Sequence, residues 1–407
     1  MVALLIFLLL LIFFSLTFLI VRDIWHPSAL IYIPWLVIFA GLFFAEKDFI
    51  AFKFGPFITI FIGIVSISVG GLFFVGKNKA KDVFPGFTNV DITPFIQFLV
   101  VVFVLYLPIF FEQRLHSLAG ALTLSGLRQA SLEGGAESGG TLPNRIMQVF
   151  LLIIVMLIYN RLRREARGRL LTVSLLFYCG YMLLMGNKAY FIQILLVVGA
   201  LILTSRKYRP GQMVVRGLVV LAIALLILGV MRALRDGNGN FFKQIEIYLL
   251  SGVVIFQERL PKISTDQWLV PLGQINSIFH SLGLQNLPDV GSSLPFTYVG
   301  NGIEGNTATV FFYFFQCGGL FGVFFFSVLT GFIHTFAYAK AIQGSIRSYI
   351  FYLYLNAYLF ITFFDLGFIS MLVSTGFFGF AVFLLVRNGA KKSFQMDVSR
   401  DITLKTI

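Results

Sequence analysis

Charged residues are scarce in this sequence: 12% of its 407 residues are Asp, Glu, Lys or Arg, about half the usual share of a soluble domain. Cysteine is rarer still, because Cys179 and Cys317 are the only two and both lie inside apolar stretches. A disulfide framework is therefore excluded as the basis of the fold. The four histidines are His26, His116, His280 and His334. Because no two of them have a metal-binding spacing, we expect no metal site and no cofactor.

The sequence consists largely of long apolar blocks. Apolar residues make up 58% of the chain, and they occur in runs of about 17 to 22, the length that crosses a hydrocarbon core of roughly 30 Å. We predict an all-α polytopic membrane protein that forms a single membrane domain over residues 1–407, with about eleven transmembrane helices in a range of ten to twelve. The predicted spans are residues 2–21, 28–45, 57–75, 95–111, 146–160, 170–185, 189–204, 217–231, 318–339, 348–364 and 368–386.

The first apolar block, residues 2–21, has no basic residues before it and no small-residue cleavage signal after it. A secretory signal peptide carries both features. We therefore interpret this block as a retained transmembrane helix.

Basic residues alternate between the connectors and so predict the topology. Arg-rich connectors at 161–169 and 205–216 belong in the cytoplasm by the positive-inside rule. The same rule puts the tail, residues 387–407, in the cytoplasm and leaves two long connectors, 112–145 and 232–317, on the outer side. The net charge of +13 is then explained mainly by contact with the inner leaflet, and nucleic-acid binding is not needed.

Several basic residues nevertheless lie in the outer connectors, where they are usually rare. They predict a negatively charged ligand, because the planar fork of Arg bonds two phosphate oxygens at once. The candidate anion-binding residues are Arg128, Lys188, Arg232, Arg235 and Arg259. The alternative is that they are solvated loop charges that pair with acidic residues on the same side.

The larger outer connector mixes two kinds of segment. Residues 241–260 combine bulky apolar side chains with charges, and this mixture predicts an interfacial helix that lies on the outer leaflet. The residues that follow are rich in turn formers and aromatics, a composition that suits sugar rings but also any long loop. His280 and Glu304 are the candidate catalytic residues, as proton acceptors for an attacking hydroxyl, and a structural hydrogen bond is the alternative role for each.

Residues 305–312 begin with Gly305-Asn306-Thr307 and end in an aromatic segment, and a long apolar span with a glycine-rich start follows at Gly318. This arrangement resembles an element of bacterial oligosaccharide repeat-unit polymerases of the Wzy type. In that family an Asn-Thr and a short aromatic segment close the large periplasmic loop, and an acidic break follows. Here the break is Gln316-Cys317-Gly318, without the acidic residue. Members also carry an Arg followed eleven positions later by Gly in a periplasmic loop, and Arg128 with Gly139 fits that spacing.

The resemblance implies a metal-independent glycosyltransferase of the bacterial inner membrane whose active site faces the periplasm. A growing glycan would leave undecaprenyl pyrophosphate and join the sugar of a fresh lipid-linked repeat unit, producing an O-antigen or a related surface polysaccharide. The implied partners are the lipid-linked donor and acceptor, membrane lipids and a chain-length regulator protein. Cationic residues of the outer loops would stabilise the departing pyrophosphate.

Three other functions stay open. An O-antigen ligase uses the same donor and a similar architecture but transfers the glycan to the lipid A core. A flippase or transporter of the lipid-linked unit predicts charged residues within the spans, which are nearly free of them. A non-catalytic assembly scaffold predicts that alanine is tolerated at Arg128, Lys188 and Arg232.

Overall fold

The structure is a computed structural model, and it is mostly helical, as predicted. It describes residues 1–74, 141–162, 168–185, 188–204, 241–265, 297–301, 303–305, 308–363 and 372–386, together with positions 97, 212, 215–217, 219, 220, 222, 223 and 226. Nearly all of the predicted span at 95–111, most of the span at 217–231, most of the outer connector 112–145 and the whole tail 387–407 lie outside these residues.

The N-terminal part contains four helices, and the first has the predicted bounds. α1 is Val2–Val21, α2 is Pro27–Leu30, α3 is Tyr32–Phe44 and α4 is Phe54–Leu72. α1 ends because Arg22 adopts the left-handed conformation (φ 53°) while its N–H bonds to the Phe18 carbonyl. α2 begins with Pro27 at a position where its missing N–H costs nothing. The predicted span 28–45 thus consists of α2 and α3.

Eight further α-helices and one hairpin follow in the described part of the chain, and six of these helices have bounds close to predicted spans. α5 is Thr141–Leu162, α6 is Gly168–Met185, α7 is Lys188–Thr204 and α8 is Phe241–Arg259. The hairpin consists of β1, Thr297–Gly300, and β2, Ile303–Gly305. Then come α9, Val310–Gln316; α10, Leu320–Ile342; α11, Ile346–Phe360; and α12, Leu372–Leu385.

Four helical segments in the described part of the chain are long and apolar enough to cross a membrane: Val2–Val21, Pro27–Phe44, Phe54–Leu72 and Leu320–Ile342. Several shorter helices are also apolar, over Val149–Arg161, Ile192–Thr204 and Thr375–Leu385. These segments support insertion into a membrane. The total of about eleven spans stays a prediction.

Helices α4 and α10 share the most extensive interface among the described elements, and glycines make it possible. A Cβ on Gly70 would overlap the Val328 carbonyl oxygen, and a Cβ on Gly331 would overlap the Ile67 carbonyl oxygen. On α10 the small residues recur every fourth position, at Ser327, Gly331, Thr335 and Ala339. This spacing lines one face of the helix with small side chains and lets two backbones approach closely, as in membrane helix pairs.

Polar contacts are formed by the connectors on either side of the segment that consists of α2 and α3. After its last turn, the connector 46–53 contacts α8 and the hairpin. Before its first turn, the connector 22–26 contacts α10 through the Asp23 carboxylate and the Tyr338 hydroxyl, and α11 through the Trp25 carbonyl and the Tyr352 hydroxyl. The described part of the bundle therefore has two distinct polar clusters, one at each end of this segment.

Helix α8 covers the region for which we predict an interfacial helix on the outer leaflet. Its C-terminal half is enclosed by protein, because Val253, Val254, Ile255, Phe256 and Gln257 are all 0% exposed. An interfacial helix keeps a polar face in contact with water and headgroups. Residues 250–257 pack against α3, α4 and the hairpin, and the position of α8 on the outer leaflet stays a prediction.

Candidate functional site

Arg259 is the last residue of α8, and its side chain is fixed on the hairpin. The guanidinium Nε donates a hydrogen bond of 2.9 Å to Oγ1 of Thr297, the first residue of β1. The side chain is half-buried. Because one N–H is bonded to a strand, the plane of the guanidinium is held in a defined orientation, which favours recognition of a planar or tetrahedral anion.

The hairpin brings a second predicted site residue to the same end of the bundle. β1 and β2 are antiparallel, with Thr297 paired to Gly305 and Tyr298 paired to Glu304. The backbone of Glu304 is thus one pair away from the residue that holds Arg259. The sequence contains the signal for this turn, Asn301-Gly302 between two short apolar runs, and sequence analysis missed it.

The connector 46–53 docks against the hairpin turn. The Ile50 N–H donates to the Val299 carbonyl at 2.9 Å, and Asn301 Nδ2 donates to Asp48 Oδ1 at 3.2 Å. Gly300 has φ of 129° and packs directly on the backbone of residues 48–50, where a side chain would collide. The turn and the connector therefore form one platform.

Gln257 links this platform to α8. Its side chain is fully buried, its Oε1 accepts the Lys53 N–H at 2.8 Å, and its Nε2 donates to the Ala51 carbonyl at 2.9 Å. Both polar atoms of the buried amide are thus satisfied, and an unsatisfied polar atom at such a buried position would cost about 1–3 kcal/mol. Gln257 is a residue that sequence reasoning missed, because one glutamine in an apolar segment carries no distinctive pattern.

An ion pair lies at the same place. Lys53 Nζ is 3.1 Å from Oε1 of Glu258, and the two side chains are 59% and 31% exposed. Exposed pairs of this kind contribute about 0–1 kcal/mol to stability. The Glu258 carboxylate therefore pairs across the fold with Lys53, although Arg259 is its neighbour in the chain.

Large aromatic side chains are exposed at this end of the bundle. Phe44 at the end of α3 is 83% exposed, Phe54 at the start of α4 is 51% exposed, and Tyr298 in β1 is 55% exposed. Aromatic rings at a membrane boundary serve as anchors, and they also stack on the C–H faces of sugars. Cations and exposed aromatics thus occur together at one end of the bundle.

The remaining predicted site residues are only partly covered. Arg128, Arg232, Arg235 and His280 lie outside the described residues. Lys188 is the first residue of α7, at a helix end as predicted, and for Lys188 and Glu304 the structure describes the backbone alone. Of the predicted set, the structure brings together Arg259 and the strand that contains Glu304.

The opposite end of the bundle contains a second polar cluster that sequence analysis did not predict. The Tyr338 hydroxyl donates to Asp23, the Tyr352 hydroxyl donates to the Trp25 carbonyl, and the His26 ring lies edge-on to Tyr338 with centroids 5.0 Å apart. His26 Nδ1 accepts the Ser28 N–H at 3.2 Å and so caps α2. Burial lowers the pKa of His26 to about 4, so the ring is neutral near pH 7.

Helix α11 places buried hydroxyl groups inside the bundle. Tyr354 and Tyr358 lie 2.7 Å apart between their hydroxyl oxygens, Gln193 Nε2 donates to Tyr358 at 3.3 Å, and Thr204 bonds to Tyr349 at 2.6 Å. Such contacts hold membrane helices together, here α7 to α11. The signal was the repeated tyrosine in an apolar span, which a search for charged residues overlooks.

No cluster of three or more His, Cys, Asp or Glu side chains that could hold a metal occurs in the part of the chain that the structure describes. Cys317 is buried, its thiol donates to the Tyr313 carbonyl at 3.2 Å, and burial raises its pKa to about 12. A thiol in this state is a poor nucleophile and a poor metal ligand.

Comparison with known proteins adds no relative to this picture. No family model, no curated protein and no solved structure matches the chain, so its function has to be argued from its own residues.

Proposed function

We propose that this protein is a membrane glycosyltransferase that polymerises undecaprenyl-pyrophosphate-linked oligosaccharide repeat units into a surface polysaccharide. The observation that carries the proposal is the Arg259 guanidinium, half-buried and fixed by Thr297 at a bundle end that also exposes aromatic rings. A pyrophosphate-linked sugar needs a cation for the phosphates, apolar surface for the lipid and aromatic faces for the sugar.

The reaction transfers a glycan between two lipid-linked molecules. The anomeric carbon of the growing chain loses its bond to the pyrophosphate oxygen and gains a bond to a hydroxyl oxygen of the acceptor sugar. The hydroxyl proton passes to a base, for which His280 and Glu304 are the candidates. Negative charge builds up on the leaving pyrophosphate, and Arg128, Lys188, Arg232, Arg235 and Arg259 are the proposed residues that stabilise it.

The charge on the outer connectors supports a polymerase or a ligase over a flippase. A transporter of a charged headgroup needs polar groups along the path through the bilayer. In the part of the chain that the structure describes, the buried polar groups include the tyrosines of α11, whose hydroxyl groups form hydrogen bonds with other protein groups. Polymerase and ligase then differ in the acceptor, which is a lipid-linked repeat unit for the former and a lipid A core for the latter.

An electrophoretic ladder of surface glycan tests the proposal. A strain that lacks its own copy of this gene is complemented with the native chain or with variants, and lipopolysaccharide is separated on polyacrylamide. The native chain should restore long polymer, and Arg128→Ala, Arg232→Ala and Arg259→Ala should leave a single repeat unit on the core while the membrane level of the protein is unchanged.

Two further variants sharpen the result. Lys262→Ala removes a cation three residues after Arg259 from an exposed position and should keep the native ladder. Arg259→Lys keeps the charge but loses the Nε donor to Thr297, so we expect shorter chains. A core with no repeat unit in the deletion strain would indicate a ligase, and a full ladder from all three alanine variants would contradict the proposed anion site.

A further inference from the structure

We infer that Gln257 is a positioning residue, which orients the Arg259 guanidinium through the connector 46–53 and the hairpin. Gln257 was not among the residues predicted from the sequence. The role of Arg259 as a cation for the leaving pyrophosphate rests on the proposed function, whereas the path from Gln257 to Arg259 rests on hydrogen bonds of the structure.

The path begins inside the last turn of α8. The side chain of Gln257 is 0% exposed and bonds to the connector at two points, the Lys53 N–H at 2.8 Å and the Ala51 carbonyl at 2.9 Å. An amide that bonds to both a donor and an acceptor of one short segment sets the position and the direction of that segment. The Lys53–Glu258 ion pair lies beside these bonds, but it is partly exposed and contributes little.

The connector in turn holds the hairpin. The Ile50 N–H donates to the Val299 carbonyl at 2.9 Å, and Asn301 Nδ2 donates to Asp48 Oδ1 at 3.2 Å. The two strands contain only four and three residues. Because an isolated two-stranded hairpin is marginally stable at best, the position of this one depends on the surfaces on which it docks.

The path ends on α8, two residues after it began. Thr297, the first residue of β1, accepts the hydrogen bond from Arg259 Nε at 2.9 Å. The end of α8, the connector and the hairpin thus form a closed ring of contacts. In such a ring each contact limits the movement of the others, so a displacement of the connector at Gln257 also displaces the strand that orients Arg259.

The hairpin has a second attachment to α8. A Cβ on Gly305 would lie 2.7 Å from Cδ1 of Ile255, so β2 packs directly on the helix. Loss of the Gln257 bonds should therefore shift the hairpin without releasing it, and the protein should stay folded.

A shift of Arg259 should affect the rate of the proposed reaction more than the binding of its substrate. Negative charge on the pyrophosphate grows as the leaving bond breaks, so a correctly placed cation stabilises the transition state more than the ground state. A misplacement of about 1 Å that is caused by a remote substitution can lower a rate by about a hundredfold. We expect kcat to fall and KM for the lipid-linked donor to stay nearly constant.

Initial rates of polymer formation by the purified full-length protein in nanodiscs test the inference. Gln257→Met keeps the length of the side chain but removes both bonds, and it should lower kcat about ten- to a hundredfold. Asn301→Gly removes an exposed side chain at a position of positive φ, weakens the contact between connector and hairpin, and should lower kcat by less.

Gln193→Met is the matched control, because Gln193 is also buried but joins α7 to Tyr358 of α11. It should keep the native kcat. Thermal unfolding in the same nanodiscs shows that each variant is folded before its rate is compared. An equal fall in kcat for Gln193→Met and Gln257→Met would overturn the inference, as would a rise in KM at constant kcat.

Arg259→Lys provides a background that separates positioning from a general loss of structure. Lysine keeps the charge but has no Nε donor for Thr297, so the ring of contacts is already open. In this background Gln257→Met should have almost no further effect on kcat. The same fold-change in both backgrounds would show that Gln257 does not act through Arg259.

Hydrogen exchange at Arg259 needs no turnover and so separates the inference from the proposed function. The Nε–H signal is followed by NMR in protein that contains ¹⁵N-labelled arginine, and it is assigned by its absence in Arg259→Lys. Gln257→Met should make exchange with water several times faster, as should Thr297→Val, whereas Gln193→Met should not. Unchanged exchange in Gln257→Met would overturn the inference. Faster exchange in a protein that makes no polymer would support it and contradict the polymerase.

Discussion

Arg259 and Thr297 lie 38 residues apart in the chain and are joined by a hydrogen bond of 2.9 Å from Nε to Oγ1. The bond ties the end of α8 to the first residue of the hairpin. It gives the cation of the candidate site its orientation, and it is a contact that a single substitution can remove.

We predict that Thr297→Val weakens polymer formation while Thr297→Ser preserves it. Valine has nearly the shape of threonine but no acceptor for Nε, and the loss of one hydrogen bond to a charged group is worth about 1.5–3 kcal/mol. The measurement is the average glycan chain length in the complemented strain, compared at equal protein level. Native chain lengths from Thr297→Val would show that the orientation of Arg259 does not matter.

Because α4 and α10 are in close backbone contact, we expect the addition of one methyl group at Gly331 to destabilise the protein. Gly331→Ala places a Cβ against the Ile67 carbonyl oxygen, and backbone cannot yield as a flexible side chain does. We expect a loss of about 1–3 kcal/mol in the free energy of unfolding, as is typical of overpacked cores.

Gly376→Ala is the matched control, because no atom lies within 4 Å of a Cβ at that helical position. It should be neutral or slightly stabilising, since alanine favours helix more than glycine does. Thermal unfolding in the same detergent compares the two variants. Equal midpoints for Gly331→Ala and the native protein would mean that α4 and α10 are farther apart than the structure has them.

Because His26 is buried in its neutral form, we expect the free energy of unfolding to decrease in mild acid. In the unfolded chain histidine binds a proton near pH 6.5, whereas in the folded chain burial lowers the pKa of His26 to about 4. Between these values the unfolded state binds more protons, so the contribution of His26 is complete above about pH 6.5 and is lost progressively down to about pH 4. The full loss is about 3 kcal/mol.

His26→Asn isolates this contribution. Asparagine keeps an acceptor for the Ser28 N–H at the start of α2 but does not titrate. The variant should lose less stability than the native protein between pH 6.5 and pH 4, as measured by chemical unfolding at each pH. Identical pH profiles would show that His26 is not buried in the neutral form.

Cys317 should resist thiol reagents in the folded protein. Burial raises its pKa to about 12, so almost no thiolate exists near pH 7.5. Maleimide should label it slowly in the native state and rapidly in denaturant. All variants carry Cys179→Ala, so that one thiol is present at a time, and Tyr298→Cys with Cys317→Ala is the positive control because position 298 is 55% exposed. Equally fast labelling of Cys317 would contradict its burial.

The apolar periodicity predicted much of the fold. Val2–Val21 has the predicted bounds, and the helices of the C-terminal third, Leu320–Ile342 and Ile346–Phe360, begin and end within a few residues of the predicted spans. This agreement follows because in a bilayer every backbone polar group has to be bonded within its own helix, so a long apolar run has one way to fold. No comparable rule fixes a loop, and the hairpin at 297–305 and the short helix α9 were not predicted.

The sequence by itself determined that this is a helical protein with apolar segments of membrane length, and it supplied the candidate cations of the outer connectors. Only the tertiary structure decided which groups meet among the described residues: Arg259 bonds to Thr297, and Lys53 pairs with Glu258, which lies 205 positions later in the chain. Charged residues, unlike apolar ones, follow no regular spacing along the chain. The strength of an interaction between two charged groups depends on the distance between them and on their burial, and both are set only when remote segments pack together.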